Sequence, residues 1–346
     1  MNGIDLSQFP PPACIQRHPA NPVLKAEDVP YPATLIFNAG VTRFAGKYVM
    51  VFRNDVGEWG SPRFRETNLG LAWSDDGVSW RVSSRPCFTR DDLFRAAAHL
   101  VDNPERELRR AYDPRLTVID GRCYMCFAVD SAHGVRGGVA VTEDFEKFDI
   151  LSIDLPDNRN MVLFPQKIDG QFVRLERPMP VYSRGGRDRF DCWLRTSPDL
   201  IHWGNARLVL AVEDVPFAND KIGPGAPPVL TESGWLTTFH AVDIDPQRGK
   251  NGWENAWKKR YCAGLMLLDR EQPWKVKGMC PTPLLQPQAP YEQEGGFRND
   301  VIFPGGMILE DDGECKIYYG AADTVECLAT ARVEDLVSLC TRPVIR

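Results

Sequence analysis

The chain of 346 residues lacks any apolar run close to the roughly 20 residues that span a lipid bilayer. Its first residues, Met-Asn-Gly-Ile-Asp-Leu-Ser, also lack the basic and then apolar pattern of a secretion signal. A surplus of positive charge is missing too, because 47 Asp and Glu outnumber 41 Lys and Arg, whereas a nucleic acid or an anionic membrane would require that surplus. We therefore expect a cytoplasmic protein with no nucleic-acid and no membrane partner, and leave open whether it forms a homo-oligomer.

The sequence also lacks cysteine and histidine pairs at zinc-ligand spacing. Of its 10 cysteines, Cys123 and Cys126 form a C-x-x-C, but no second Cys pair or His pair accompanies them. In a strand these two side chains point to opposite faces, so they could share neither a metal ion nor a disulfide. We expect buried, reduced thiols, which suit a cytoplasmic compartment.

Helical periodicity is scarce. Residues 91–100 are compatible with a short surface helix, 247–259 with an insertion that carries a helical turn, and 334–337 with a short turn that closes the fold. The 28 Gly and 28 Pro favour turns and short strands instead. No linker or low-complexity segment divides the chain, so we expect a single domain over residues 1–346.

The chain does contain a recurring unit. Five times, a turn with glycine precedes an aromatic-rich run of alternating apolar residues, which is typical of the second strand of a β-hairpin. The five glycines are Gly46, Gly121, Gly170, Gly234 and Gly313. In three units a Ser or Thr, acidic turn residues and an aromatic six positions on predict a further, outer hairpin at 74–80, 142–148 and 197–203. An irregular period of about 50 to 80 residues predicts an all-β, five-bladed β-propeller.

Each of the five runs follows a short strand candidate that begins at a polar, Pro or Gly cluster. The clusters are Phe37–Val41, Asp113–Thr117, Leu163–Gln166, Gly223–Pro228 and Phe303–Met307. The innermost strands of a propeller surround a central channel, so we expect the five clusters to line one pocket.

Near these clusters stand an acid and several cations. Asp113 is a candidate proton donor, although the plain alternative is a turn in which Asp113 and Arg115 form a solvated pair. The cationic and amide candidates are Arg159, Asn160, Arg177, Lys221 and His240. Together they would make an anion site, since Arg offers a bidentate fork and Lys a point charge, whereas each alone could be a surface pair or a core histidine.

An obvious second carboxylate is missing from the clusters. Inverting glycoside hydrolysis needs an acid and a base roughly 6.5 to 9.5 Å apart, because the base activates water. A phosphate nucleophile already carries negative charge and needs no base. One acid and one anion site are therefore typical of a phosphorylase.

Six motifs resemble those of glycoside hydrolase family 130, the inverting β-mannoside phosphorylases, in the same order and over nearly the whole chain. They are Phe37–Gly40, Tyr112–Arg115, Arg159-Asn160 with Leu163–Pro165, Gly223-Pro224 with Pro227-Pro228, Gly234–His240 and Tyr319–Asp323. The resemblance implies a five-bladed propeller that cleaves a terminal β-mannoside with inorganic phosphate to give α-D-mannose 1-phosphate. Phosphate is then a co-substrate, and no cofactor or metal is implied.

The resemblance also implies residue roles. Asp113 would be the general acid, acting through a mannose hydroxyl, with Tyr112 beside the sugar. The phosphate cage would consist of Arg159, Asn160, Arg177, Lys221 and His240, and further mannose contacts would be Asn54, Arg65 and Asp323. Tyr112 stands where the family often has another acidic residue, which places the chain close to the mannooligosaccharide phosphorylase branch. Segments 243–261 and 287–298 resemble loops over the acceptor side.

The expected substrate is a β-1,4-linked mannooligosaccharide or a mannosyl-glucose type disaccharide. Two alternatives keep the propeller. One is a β-mannosidase that uses water, with Glu294 or Asp300 as its base. The other is a non-catalytic sugar-binding protein, in which Asp113 would have no chemical role.

Overall fold

Five small antiparallel sheets make up almost the whole computed structural model, which describes residues 3–180, 189–249, 252–254 and 257–344. The innermost strands of the sheets contact one another around a central channel, so each sheet is one blade of a propeller. The all-β, five-bladed propeller predicted from the hairpin repeat is confirmed. That it forms one domain over residues 1–346 stays a prediction.

The blades are numbered in chain order, with the innermost strand first. Blade 1 consists of β2 (Leu35–Phe44), β3 (Lys47–Gly57), β4 (Phe64–Ser74) and β5 (Arg81–Val82). Blade 2 consists of β6 (Leu108–Ile119), β7 (Arg122–Ser131), β8 (Gly134–Thr142) and β9 (Asp149–Ile153). Blade 3 consists of β10 (Asn158–Leu163), β11 (Phe172–Pro178), β12 (Cys192–Ser197) and β13 (Gly204–Leu210).

Blades 4 and 5 depart from the simple four-strand order. Blade 4 consists of β14 (Lys221–Pro224), β15 (Val229–Thr231), β16 (Gly234–Ile244), β17 (Lys259–Leu268) and β18 (Val276–Met279). Blade 5 consists of β19 (Ile302–Leu309), β20 (Glu314–Ala321), β21 (Val325–Arg332) and the N-terminal β1 (Gln16–Arg17). Because β1 pairs with β21, the start of the chain completes the last blade and closes the ring.

The turns form where the residue pattern predicts them. All five hairpin glycines lie at or just before the start of a second strand and have positive φ, between 72° and 137°. In the outer hairpin of blade 1, Ser74 Oγ accepts from the Gly77 N–H at 2.8 Å and Asp76 accepts from two following N–H groups. The same side-chain turns recur at Thr142 and Ser197, so the three outer hairpins are confirmed.

Among the described residues, four short α-helices lie outside the blades. They are α1 (Arg90–Ala97), α2 (Pro104–Glu107), α3 (Pro290–Gln293) and α4 (Val333–Leu339). The predicted surface helix is α1, which the Thr89 side chain caps, and the predicted closing turn belongs to α4, although β1 performs the closure. Residues 250–251 and 255–256 lie outside the described residues, and the described remainder of 247–259 forms turns but no helix. No described helix is long and apolar enough to cross a membrane.

Apolar side chains pack between neighbouring blades. Cys123 belongs to a cluster with Val49 of blade 1, whereas Cys126 belongs to another with Met161 of blade 3. The two thiols therefore lie on opposite faces of β7, as predicted. All ten cysteines are free, and seven of them are buried.

The polar clusters do not all open their inner strands, so that part of the sequence prediction is wrong. Phe303–Met307 begins one residue after the start of β19, whereas Phe37–Val41 and Asp113–Thr117 lie within β2 and β6, and Leu163–Gln166 and Gly223–Pro228 run past the ends of β10 and β14. In blades 1, 2 and 5 the pairing register shifts at the cluster, as in a β-bulge, in blade 3 it shifts between Arg159 and Val162, and in blade 4 the strand divides into β14 and β15. The bulges hold Asn38, Asp113 and Asn160 at φ of 53°, 52° and 57°. Asn and Asp tolerate this region best, and a bulge turns one side chain out of the alternating pattern. Blades 1, 2 and 3 thereby each make one polar residue available to the channel, whereas the shift in blade 5, between Pro304 and Gly306, holds none.

Candidate active site

Asp113 lies in the bulge of β6 and is held by side chains of blade 1. Its Oδ1 accepts from Asn38 Nδ2 at 3.0 Å and from Arg53 Nη1 at 3.2 Å. Burial alone would raise the pKa of this carboxyl, but Arg53, Arg115 and Arg159, helped by the Asn38 amide, bring it below its ordinary value. In the empty protein Asp113 is therefore an ionised carboxylate with fixed orientation.

Arg115 is fully buried and ties the bulges together. Its Nε donates to the Gly225 carbonyl at 2.8 Å, and its Nη1 donates to the Pro114 carbonyl at 2.7 Å. Further bonds reach the carbonyls of Asn38 and Pro304, so four blades are joined through one guanidinium. The alternative of a solvated Asp113–Arg115 surface pair is wrong, because Arg115 has 2% of its surface exposed.

Arg53, which the sequence analysis missed, is the partner of Asp113. Its Nη2 and Nε also donate to Asp55 Oδ2 at 2.6 and 3.0 Å, and its guanidinium lies 4.5 Å from the Phe37 ring centre. Arg53 and Asp55 are two apart in β3, so both point to the same face of the blade. A charged pair with this spacing inside the apolar run 48–56 is the signal that could have revealed it.

Tyr112 connects the acid to the predicted phosphate cage. Its hydroxyl donates to Asp130 Oδ1 at 2.7 Å and accepts from Arg159 Nη1 at 3.3 Å. Its ring lies between the guanidiniums of Arg53 and Arg110, at 4.9 and 5.0 Å. Two cations on a buried aromatic ring hold it in place, so Tyr112 orients Arg159.

The structure brings the five cage residues together in blades 3 and 4. Arg177 Nη1 lies 3.1 Å from His240 Nε2, Asn160 Nδ2 lies 3.5 Å from the same atom, and His240 Nδ1 lies 3.2 Å from the Pro224 carbonyl. Arginine can only donate, so Nε2 is the acceptor and Nδ1 carries the hydrogen. Burial first, and then Arg177 and Lys221, hold the pKa of His240 well below its usual value. The ring is neutral.

Several donors of the cage cations find no partner among the described residues. There, Arg159 Nε and both Nε and Nη2 of Arg177 are buried and form no hydrogen bond. Burial and the neighbouring Arg159 lower the pKa of Arg177 to about 9, and burial and Arg177 lower that of Lys221 well below its usual value. Buried donors and cations of this kind are costly unless a ligand satisfies them. An anion would satisfy all of these groups.

Tyr261 and Lys259 also belong to this region and were not predicted. The Tyr261 ring stacks on His240 with centres 6.0 Å apart, and Lys221 Nζ lies 5.4 Å from the Tyr261 ring centre. Lys259 Nζ donates to Asp220 at 2.9 Å. Both residues lie in segment 243–261, which resembles a loop over the acceptor side. In the structure they belong to the start of strand β17, which pairs with the strand of His240. No local signal marks them, because their place beside the cage depends on the pairing of β17 with β16.

The three predicted mannose contacts occupy different places. Asp323 lies beside Arg298, which donates to it at 3.1 Å. Its pKa is raised, chiefly by burial and also by the nearby Asp113. Asn54 is fully buried and donates to the Pro32 carbonyl and to Asn68 within blade 1, on the opposite face of β3 from Arg53. Arg65 is exposed on β4 and lines a surface groove of about 650 Å³.

Residues 15–342 match the model of glycoside hydrolase family 130, described as beta-1,4-mannooligosaccharide phosphorylase. The chain belongs to this family. A beta-1,4-mannooligosaccharide phosphorylase of Ruminococcus albus is 33% identical over 97% of this chain and 96% of that protein. A 4-O-beta-D-mannosyl-D-glucose phosphorylase of Bacteroides fragilis is 27% identical over 92% of this chain and 78% of that protein.

A solved structure agrees with these relatives. The beta-1,2-mannobiose phosphorylase of Listeria innocua, in complex with beta-1,2-mannobiose, has a TM-score of 0.76 at 25% identity and covers 94% of this chain and 99% of that one. The family and the enzyme class predicted from the motifs are confirmed: the chain is a member of the mannoside phosphorylases. The alternatives of water as nucleophile and of a non-catalytic protein are not favoured.

Proposed function

We propose that the protein cleaves the terminal unit of β-1,4-linked mannooligosaccharides with inorganic phosphate, inverts the anomeric carbon and releases α-D-mannose 1-phosphate. The observation that carries this proposal is the set of buried donors on Arg159 and Arg177 that find no partner among the residues the structure describes, with Arg159 hydrogen-bonded to Tyr112, the neighbour of Asp113. A mannosyl-glucose disaccharide is the second substrate, and the full-length similarity to the R. albus enzyme favours the oligosaccharide over it.

Phosphate binds in the cage, where Arg159, Arg177 and Lys221 supply donors and positive charge. An oxygen of the anion attacks the anomeric carbon of the terminal mannose while the bond to the leaving sugar breaks. Because the nucleophile is already negatively charged, no side chain has to deprotonate it. The carboxylates near Asp113 need no role as a base, because Asp55 is paired with Arg53 and Asp323 with Arg298.

Asp113 supplies the proton that the leaving oxygen takes up, and the resemblance to the family routes this proton through a mannose hydroxyl. In the empty protein the arginines keep Asp113 ionised. A phosphate anion beside Arg159 offsets that guanidinium and raises the pKa of the acid, so the loaded site can hold the proton. Phosphate binding and protonation of Asp113 thus support each other.

Hydrolysis would require a carboxylate that activates water opposite Asp113. Glu294 follows α3 and is exposed, and Asp300 packs behind β17, where its carbonyl accepts from the Tyr261 N–H. The retained cations favour phosphate over water as the nucleophile.

The decisive experiment incubates the protein with β-1,4-mannobiose in the presence and in the absence of phosphate. Phosphorolysis yields α-D-mannose 1-phosphate, which phosphorus NMR identifies, together with one free mannose. Release of two mannoses at a rate independent of phosphate would contradict the proposal. Since the cysteines are free and mostly buried, we further propose that the reaction takes place in the reducing cytoplasm.

A further inference from the structure

An exposed tryptophan stands at the outer end of an aromatic cluster that begins beneath the acid. Trp59, in the turn between β3 and β4, has 61% of its surface exposed, and its ring meets that of Trp253 edge to face at 4.5 Å. Single exposed apolar residues are common in proteins. Trp59 differs from such a residue because the ring of a second tryptophan, Trp253, packs against it.

The cluster leads from the surface to Asp113. The Trp253 ring lies 5.7 Å from that of Phe297, and both pack with Phe37 in one apolar group. Phe37 lies under the guanidinium of Arg53, which donates to Asp113. One layer of side chains therefore separates the aromatic cluster from the acid.

Polar groups flank Trp59. Residues of the same turn and of β4, Glu58, Ser61, Arg63 and Arg65, line a groove of about 510 Å³, and Trp59 itself lines a second groove of about 480 Å³ with Lys25, Glu27 and Thr34. Within the part of the chain that the structure describes, Glu58, Arg63 and Arg65 form no ion pair, so their hydrogen-bonding groups are available. The Ser61 N–H donates to the Glu58 carbonyl at 3.0 Å and closes the turn. An aromatic surface with a polar rim is typical of a ligand groove.

We propose that Trp59, supported by Trp253, is a distal subsite that binds a sugar unit of the substrate chain beyond the bond that is cleaved. This inference depends on the proposed function. Cleavage of a terminal unit places that unit deepest in the channel, so the remaining units must extend outward past its rim. A β-mannosyl unit has hydrogens of carbons 1, 3 and 5 on one face, and this apolar face can cover an indole ring.

The test compares chain lengths. Wild type, Trp59→Ala and Trp59→Phe are assayed for phosphorolysis of mannobiose and of mannotetraose, with Leu100→Ala as an exposed apolar control next to α1. Trp59→Ala should lower kcat/KM for mannotetraose about tenfold, mainly through KM, and that for mannobiose less than about twofold. Trp59→Phe should recover part of the loss. Equal losses on both substrates would overturn the proposal, because they indicate a structural role.

A binding measurement separates this inference from the proposed function. Mannotetraose is titrated calorimetrically into Asp113→Asn and into the double variant with Trp59→Ala. Weaker binding by the double variant supports the subsite even if the wild type shows no phosphorolysis, whereas equal binding overturns it. Gel filtration of the same proteins tests the other occupant, since loss of an oligomer on Trp59→Ala would assign Trp59 to a contact between two copies of the chain.

Discussion

Asp113 and the phosphate cage lie on either side of Tyr112, and the charged groups of these two regions are paired differently. Around Asp113, Arg53 bridges the carboxylates of Asp55 and Asp113 in a closed network. In the cage, Arg177 has two buried donors that no described residue accepts. Asp113 is thus held by side chains of the protein itself, whereas we propose that phosphate is the partner of the Arg177 donors.

The largest expected effect concerns the acid itself. Asp113→Asn keeps the shape of the side chain but removes its proton-donating capacity, so kcat should fall on the order of a hundredfold to ten-thousandfold. The cage is untouched, so phosphate should still raise the Tm of the variant. Asp120→Asn, at an exposed turn of the same hairpin and also at positive φ, is the matched control. Loss of the phosphate-induced Tm shift in Asp113→Asn would contradict the separation of the two regions.

Arg53 and Arg177 allow the comparison to be tested with one residue type. Arg53→Met leaves the carboxylate of Asp55, which is fully buried, without its partner. Removal of one member of a buried ion pair costs about 3–5 kcal/mol, and the free energy of unfolding should fall by this amount. Urea denaturation of the phosphate-free protein measures it. A fall below about 1 kcal/mol, the range of surface pairs, would mean that water replaces Arg53.

Arg177→Met should behave in the opposite way. It removes a buried cation whose pKa is lowered by burial and by the neighbouring Arg159, so the phosphate-free protein should lose no stability and can gain some. The KM for phosphate should rise about tenfold or more, since hydrogen bonds to charged groups contribute about 1.5–3 kcal/mol. The KM for the mannoside should change less. Equal changes in both KM values would indicate that Arg177 is structural.

The features of these two regions that depend on local sequence pattern could be predicted from the sequence. Alternation and turn glycines predict the five blades. Arg159, Asn160 and Lys221 are recognised because they precede inner-strand clusters, and Arg177 and His240 because they end the partner strands. Arg53 was missed in favour of Asn54, its neighbour in β3. Adjacent strand residues point to opposite faces, so an error of one position exchanges the channel for the blade interior.

The remaining differences depend on long-range register. Tyr261 reaches the cage because β17 pairs with β16, and the pairing places Ala263 opposite His240. A loop of variable length separates the two strands, so no local spacing predicts this neighbour. The bulges have the same origin, since an inserted residue is recognised only when the partner strand is known.

The pH dependence of phosphate binding should differ from that of a preformed cation site. Burial and Arg177 lower the pKa of Lys221 in the empty cage, and a bound anion restores it toward the ordinary lysine value of about 10.4. Between these two values binding takes up a proton, so the KM for phosphate should rise as pH increases above neutrality. Steady-state kinetics from pH 7 to about 9 test this, and Lys221→Met should flatten the dependence. A KM that is constant with pH in the wild type would show that Lys221 keeps its proton in the empty cage.

The smallest expected effect belongs to Tyr112, which separates the two regions. Tyr112→Phe keeps the ring between Arg53 and Arg110 but removes the hydroxyl that accepts from Arg159 and donates to Asp130. Loss of one neutral acceptor costs about 1 kcal/mol, so the KM for phosphate should rise about fivefold with little change in kcat. Asp130→Asn keeps the phenol and should raise this KM less, because its amide oxygen can still accept. If Tyr112→Phe lowered kcat instead, the hydroxyl would act on the sugar or on Asp113 rather than through Arg159, and Tyr112 would belong to the acid side of the comparison.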